Sequence, residues 1–302
     1  MDSHGPEISD LVVDYDPQTL ERRRVERAHV LTRLTGRAAA VVRAMPERDG
    51  ALDSDAVDGV ILRAHLEIQR LHEEFHVGAT MRALLAPMIA LARRATPVRP
   101  IRVVDVGSGL GYVLRWLATR GDLGDDVELV GADCNRVLVA AANRLAQDDG
   151  ARCRFVAANA FTLSDPAHVF ISTGAMHHFR GDDLVRVFRE HERSQALGFV
   201  HVDIRPCPIA PIGSWIFHQA RMREPLAQFD GYWSAVRAHA WPEWRAAIRE
   251  GAPTFSLATV DAHPGLAAVV RIFQAAIGVR GAAAGALRSA YAAFGRRFEE
   301  DA

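Results

Sequence analysis

The segment VVDVGSGLG at 103–111 constrains this chain more than any other stretch. It reads as a buried strand running straight into glycines at 107, 109 and 111, with a helix beginning near Tyr112. Glycine there lets the backbone take positive φ and approach a ligand closely, and the helix start offers unbonded N–H groups and a partial positive end. A carboxylate or a phosphate fits such a place. The next strand, VELVGAD, ends in Asp133, 22 residues past Gly111, where an acidic side chain accepts both hydroxyl protons of a ribose. Together the two features imply a cofactor that contains a nucleoside.

Spacing narrows the choice of cofactor. A dinucleotide fingerprint wants G-x-G-x-x-G, yet counted from Gly107 its last position is Tyr112, and counted from Gly109 it is Leu114. No G-x-x-x-x-G-K-[ST] occurs, and the chain has no lysine: its 36 basic side chains are all arginine. A phosphate grip of the P-loop kind and Schiff-base chemistry are therefore excluded.

The rest of the 302 residues divides by pattern. Over 18–95 the spacing is helical, with Leu20, Val25, Ala28, Leu31 and Leu34 on one stripe and Val60, Leu62, Leu66, Ile68, Leu71 and Phe75 on another. Pro97 and Pro100 end that pattern. Short apolar runs then alternate with helical stretches, which signals a parallel sheet. Strands are expected near 101–106, 127–132, 153–157, 168–173 and 197–203, and helices near 111–120, 135–147 and 182–194, the last with Asp182 as its N-cap. From 207 to about 252 the alternation lapses into an aromatic-rich stretch ending in a short helix, with Pro242 in its first turn and Gly251 at its stop. Segments 255–260 and 267–275 are expected to pair as an antiparallel hairpin across a turn at 262–265, and the alanine-rich 282–298 to form a terminal helix.

The pattern D-x-G-x-G-x-G after a strand, with an acid closing the next strand, resembles the class I S-adenosylmethionine-dependent methyltransferases. The likeness runs over about 101–205. CRFVAANAF at 153–161 is similar to that family's third strand and adenine-contacting turn, with Asn159 where Asp is more usual. HVFISTGAMHHF at 168–179 is similar to the fourth strand and following turn of the small-molecule branch, and ALGFVHVDIRP at 196–206 to the fifth strand. Carried over, the resemblance implies that Asp105 and the backbone of Gly107, Ser108, Gly109 and Gly111 face the amino-acid end of S-adenosylmethionine. It implies that Asp133, with Cys134 beside it, holds the ribose, that Asn159, Ala160 and Phe161 frame the adenine, and that Thr173 and Met176 lie with His177 beside the sulfonium. The implied fold is α/β: a Rossmann-like, mainly parallel sheet of seven strands, with an N-terminal helical cap region over 1–98 and a catalytic domain over 99–302 that carries a helical lid insertion at 207–252.

Methyl transfer is an in-line displacement at a sulfonium carbon, so the protein has to place a nucleophile and, where it carries a proton, remove it. His177 and His178 stand where the small-molecule branch commonly has a histidine pair, and a neutral imidazole near pH 7 can act as base. The plainer role for the pair is to brace the turn by hydrogen bonds. His201 and Asp203, closing the fifth strand, are secondary candidates. The turn STGAMHH has neither the [DN]-P-P-[YFW] signature of amino-group methylation on adenine or glutamine nor a Pro-Cys nucleophile for cytosine. With 36 basic against 37 acidic residues and a net charge of −1, no global field draws the chain to nucleic acid or anionic lipid.

His72-Glu73-Glu74-Phe75-His76 matches H-E-x-x-H, in which two histidines one helical turn apart bind zinc. A third ligand is missing, because no Asp, Glu or His follows until Asp105. No metal is expected. His72 and His76 are instead candidate substrate contacts on a helix lining the pocket, with a solvated face as the alternative. In the 207–252 stretch Trp215, His218, Tyr232 and Trp233 are further substrate candidates, since large rings build a water-excluding pocket, although plain core is the competing role.

The expected function is methyl transfer from S-adenosylmethionine to a small molecule, to oxygen in preference to carbon or nitrogen. No nucleic-acid partner is expected, and no membrane segment, since the longest apolar run, Ala83–Ala92, is half the ~20 residues a spanning helix needs. A homodimer is left open. Three scattered cysteines, Cys134, Cys153 and Cys207, and a polar, acidic start suit a reducing cytoplasm. The rival functions are an NAD-dependent oxidoreductase and a catalytically silent binding or scaffolding protein of the same fold.

Overall fold

Ile101–Val106 buries five of its six side chains, so both faces of this strand must be covered, as in the middle of a parallel sheet. The computed structural model, which describes residues 5–163, 166–261 and 272–300, places it there. The strands of the main sheet are β1 (Ile101–Val106), β2 (Val127–Asp133), β3 (Cys153–Ala157), β4 (Val169–Thr173), β5 (Gly198–Ile204), β6 (Phe255–Asp261), β7 (Phe273–Arg280) and β8 (Phe298–Glu300). Their order is β8-β6-β7-β5-β4-β1-β2-β3. The strands from β5 through β3 are parallel, whereas β7 runs antiparallel between β5 and β6, and β8 antiparallel beside β6. Strand order reverses at β1, which has β2 on one side and β4 on the other; in open α/β sheets ligands bind outside the carboxyl ends at that point.

After short helices at Ser9–Val12, Arg27–Thr32 and Gly36–Arg43 come α1 (Ser54–Glu74), α2 (Val77–Ala95), α3 (Tyr112–Arg120), α4 (Arg136–Asp148), α5 (Asp182–Arg193), α6 (Ala210–Arg221), α7 (Pro225–Val236) and α8 (Trp241–Gly251). Alternation along β1 sends Ile101 and Val103 into a core with Met81, Leu84, Leu85 and Ile89 of α2, and Val104 and Val106 into a second core with Phe170, Phe188, Phe199 and Trp244. The chain forms two compact units. One runs to Leu71 and takes in Pro206–Ala238; the other comprises His72–Arg205 and continues from His239. No single helix among the described residues is long and apolar enough to cross a membrane.

The five parallel strands and the three helices between them begin and end within about a residue of the expected positions. Several other elements differ, each for a local reason. The sheet has eight strands, because 282–298 is not one helix: it is two 3-10 turns, a short helix at Leu287–Ala290 and then β8. Tyr291 is fully buried and donates its hydroxyl to the Leu84 carbonyl at 2.8 Å, with the rings of Phe294 and Phe298 5.7 and 5.8 Å away. These aromatic anchors, together with Gly295 at φ +54°, override the alanine propensity. The second strand of the hairpin is β7 at 273–280 rather than 267–275, and the turn at 262–265 lies outside the described residues. Gly181 occupies the cap position of α5, and Asp182 is its first helical residue.

Residues 18–26 are not helical, because Asp16 Oδ1 accepts from the N–H groups of Gln18 and Thr19, both at 2.9 Å, and folds a turn instead. In α1 the buried stripe is Val57, Ile61, Ala64, Glu67 and Leu71, while Leu66 is 47% exposed. The stripe is shifted from the apolar pattern because it includes a carboxylate. Glu67 accepts from the N–H groups of Arg223 and Glu224 at 3.0–3.1 Å, just ahead of α7.

Candidate functional site

The carboxyl ends of β1, β2 and β4 and the loop after β1 bring most of the expected cofactor residues together within the second unit. Gly107, Gly109 and Gly111 all have positive φ, at +71°, +53° and +69°. The loop's amides are put to a different use from the one expected, since they bond the protein itself. Gly107 and Ser108 donate to the Ala132 carbonyl at 2.8 and 3.2 Å, and Gly111 to the Ser108 carbonyl at 2.8 Å. Gly109 donates to Asp133 Oδ2 at 2.9 Å, while Asp133 Oδ1 accepts from the Asn135 N–H at 2.8 Å. The loop is therefore tied to the end of β2, and the first turn of α3 is where a helix leaves N–H groups for an anion.

Three buried polar atoms in this place have no hydrogen bond among the described residues: Asp105 Oδ1, Ser108 Oγ and Thr173 Oγ1. Burial, with a smaller contribution from the Asp133 charge, pushes the Asp105 carboxyl up to about 8. Buried polar groups left unpaired cost roughly 1–3 kcal/mol each, so their clustering asks for a polar ligand. A molecule bearing an ammonium, a carboxylate and ribose hydroxyls suits this donor and acceptor set.

After β3, Asn159 Oδ1 accepts from the Phe161 N–H at 2.9 Å and fixes a half-buried turn that includes Ala160. The Phe161 ring sits between Phe179, 5.5 Å away edge-on, and the Arg186 guanidinium, 4.0 Å above it. Cys134 is exposed beside Asp133.

After β4 the chain forms a single 3-10 turn, Met176–His178. Met176 and His177 are buried and His178 is half-buried, its ring 4.5 Å from that of His177. Asp203 on β5 holds His177 twice: Oδ2 accepts from the backbone N–H at 2.9 Å, and Oδ1 lies 2.8 Å from Nδ1. Burial pushes the Asp203 carboxyl up, but His177 and the amides of Ile204 and His177 outweigh it and leave the group below the ordinary range. Asp203 is thus the partner of His177, a pairing the sequence did not specify. His201 belongs to the core. Its Nε2 lies 2.9 Å from His191 Nε2 and its Nδ1 2.8 Å from Ser172 Oγ, among Phe188, Phe199 and Trp244. Burial holds His191 well below the ordinary imidazole range and lowers His201 to about 3, so both are neutral.

Residues 103–196 match the family model of a methyltransferase domain. That stretch, from β1 through α5, is an S-adenosylmethionine-dependent methyltransferase domain. Among solved structures, the fold is similar to the plantazolicin methyltransferase BamL at 13% identity, with 74% of this chain and 96% of that one covered and a TM-score of 0.51. The plantazolicin methyltransferase BpumL is similar at 10% identity, with 76% and 100% covered and a TM-score of 0.50. YcgJ from Bacillus subtilis is 20% identical, with 64% and 97% covered and a TM-score of 0.41. No curated protein matches the sequence.

The candidate substrate residues of this methyltransferase fall into both units. His72, in the last turn of α1, is half-buried with its ring 6.2 Å from that of Tyr112, the first residue of α3, so it adjoins the glycine loop. His76 is exposed, at φ +52°, between α1 and α2. Because α1 stops at Glu74, the two histidines do not share a helix face, and the zinc-binding geometry of H-E-x-x-H is not formed. In the first unit Trp215 is 47% exposed on α6, whereas the His218 ring packs on Gly231 of α7, with Nδ1 2.8 Å from the Ser214 carbonyl. Tyr232 and Trp233 stack edge-on at 5.1 Å, and Trp233 covers Gly5. His239, which no motif singled out, is buried beneath the turn that carries His177.

Proposed function

We propose that this methyltransferase transfers its methyl group to an oxygen of a small molecule, with His177 as the base that takes the acceptor's proton. The observation that carries this reading is the double contact of Asp203 with His177. With Nδ1–H donating to Asp203, the basic lone pair is placed on Nε2. A hydroxyl must give up its proton as the new bond forms, whereas an amine attacks with its own lone pair, so a base oriented by a buried carboxylate suits oxygen.

Bound S-adenosylmethionine supplies an electrophilic methyl on a sulfonium centre. Asp105 would hold its ammonium, the start of α3 its carboxylate, Asp133 its ribose, and the turn Asn159–Phe161 its adenine. Thr173 and Met176 would line the sulfonium end, and His178, its ring tilted against that of His177, would shield the base from water. His72 would meet the substrate beside Tyr112, while no such role is supported for His76 or for His218, which packs between two helices. The structures of BamL and BpumL, each determined with S-adenosylhomocysteine and a desmethylPZN analogue, support a cofactor-dependent enzyme acting on a discrete acceptor.

Three outcomes test this reading. Asp133→Ala is expected to weaken S-adenosylhomocysteine binding by roughly 1–3 kcal/mol, about 5- to 150-fold, by titration calorimetry. Undiminished affinity rejects the ribose assignment. A panel of phenols, hydroxy acids and amines, followed by release of S-adenosylhomocysteine, is expected to identify hydroxylated acceptors. On such an acceptor His177→Ala should lower kcat by about 10²–10⁴ while cofactor affinity stays within twofold. Turnover restricted to amines, or full turnover without the imidazole, contradicts the base role.

A further inference from the structure

The turn that presents His177 is only three residues long, and 3-10 hydrogen bonds are poorly aligned. It is nevertheless asked to aim both a backbone N–H and a ring nitrogen at one carboxylate. Beneath it lies His239, buried just ahead of α8. His239 Nε2 is 3.1 Å from the Met176 carbonyl oxygen and 2.9 Å from that of Phe179, the two carbonyls that bracket His177 and His178. Nδ1 lies 2.9 Å from Glu243 Oε1 without forming a hydrogen bond, so the ring is held through the contacts of Nε2, which flipping it would lose. The His239 backbone is anchored in turn: its carbonyl accepts from Gln274 Nε2 at 2.6 Å, and Gln274 is the residue paired with Asp203 across β5 and β7. One chain of contacts therefore runs from the strand pair that carries Asp203, through Gln274 and His239, to both ends of the turn that carries His177.

We infer that His239 is a positioning residue, which donates from Nε2 to the Met176 and Phe179 carbonyls and so holds the His177 ring against Asp203 with its proton on Nδ1. The inference rests on the reading of His177 as the base. Its physical ground is leverage: a displacement of about 1 Å in a catalytic group costs on the order of 100-fold in rate, and nothing in a three-residue turn resists such a shift by itself.

The test reads the ring directly in the full-length protein loaded with S-adenosylhomocysteine. Long-range proton–nitrogen spectra of 15N-histidine-labelled protein, with the His177 signals assigned by their loss in His177→Gln, report which nitrogen carries the proton. The wild type is expected to show the Nδ1–H form. His239→Phe keeps a ring against Trp244 but removes the donor, and is expected to give a mixture of the two neutral forms with S-adenosylhomocysteine affinity within twofold. His239→Gln, whose amide still donates, is expected to restore the wild-type pattern. An unchanged tautomer in His239→Phe overturns the inference. If that variant does not fold, Gln274→Met releases the anchor without adding bulk, and an unchanged His177 tautomer there overturns it equally. On an accepted substrate, His239→Phe should lower kcat about tenfold in the wild type and not at all in His177→Ala. Because the tautomer is read without turnover, a failure of the base assignment, seen as full activity in His177→Ala, is a separate result.

Discussion

Gly111→Ala is expected to destabilise the cofactor-free protein by about 2–5 kcal/mol and to abolish S-adenosylhomocysteine binding at concentrations that saturate the wild type. Two costs combine. Gly111 has φ +69°, where an L side chain pays about 1–2 kcal/mol, and its added methyl would overlap the Phe155 ring in the core, where overpacking costs about 1–3 kcal/mol. Phe155 has no room to retreat. Its ring also lies flush on Gly131 of β2, and its backbone is held at both ends by Asn143, whose Oδ1 accepts from the Phe155 N–H at 3.0 Å and whose amide donates to the Phe155 carbonyl at 2.8 Å. The strain would be shed through the loop and the start of α3, which is where the ligand's carboxylate would bind. Urea denaturation gives the first number and titration calorimetry the second. Phe155→Leu, which shortens the ring, should recover part of the loss, so the double-mutant cycle should show coupling. Wild-type stability and affinity in Gly111→Ala would mean that this glycine serves neither packing nor the ligand.

The strands that build this site are legible in the sequence because they are buried on both faces and punctuated by glycine or an acid. IRVVDV and VELVGAD admit no amphipathic helix, and their termini follow from Gly107 and Asp133. The loop's purpose is less legible. The glycines suggest an open cradle, but the bond from Gly109 to Asp133 Oδ2 depends on how β1 and β2 lie side by side, which spacing does not encode. Buried polar residues misled the pattern elsewhere. Glu67 holds a core position on α1, and so the apolar stripe read from Val60, Leu66 and Ile68 was rotated off the true one. His239 left no signal at all, because it binds main-chain carbonyls, which every residue has, across a separation of 60 or more residues. Trp215, Tyr232 and Trp233 show the opposite limit: aromatic composition marks a region but does not separate packing from substrate contact.

Cofactor binding near pH 7 is expected to release close to one proton, and Asp105→Asn is expected to abolish that release. Asp105 is buried without a bond to Oδ1, and its carboxyl is pushed from 3.8 to about 8, chiefly by burial, so it is neutral at pH 7 when no ligand is present. A cationic ammonium placed against it favours the ionised form, and the displaced proton leaves to solvent. The sign for stability follows. In the unfolded chain this group ionises near 3.8, so the folded protein's advantage from it is full below about pH 4 and is lost as pH rises towards 8. Over the whole window the loss amounts to an order of 5 kcal/mol. Asp105→Asn should therefore stabilise the cofactor-free protein at pH 8 while weakening S-adenosylhomocysteine about 10- to 100-fold, a stability gain opposed to a binding loss at one atom. Calorimetric titrations at pH 7 in buffers of different ionisation enthalpy read the proton count as a slope. That slope should be near one for the wild type, fall towards zero above pH 9, and be near zero at pH 7 in the variant. A wild-type slope of zero at pH 7 would mean that Asp105 stays protonated beside the bound ligand, and the ammonium would then need another counter-charge.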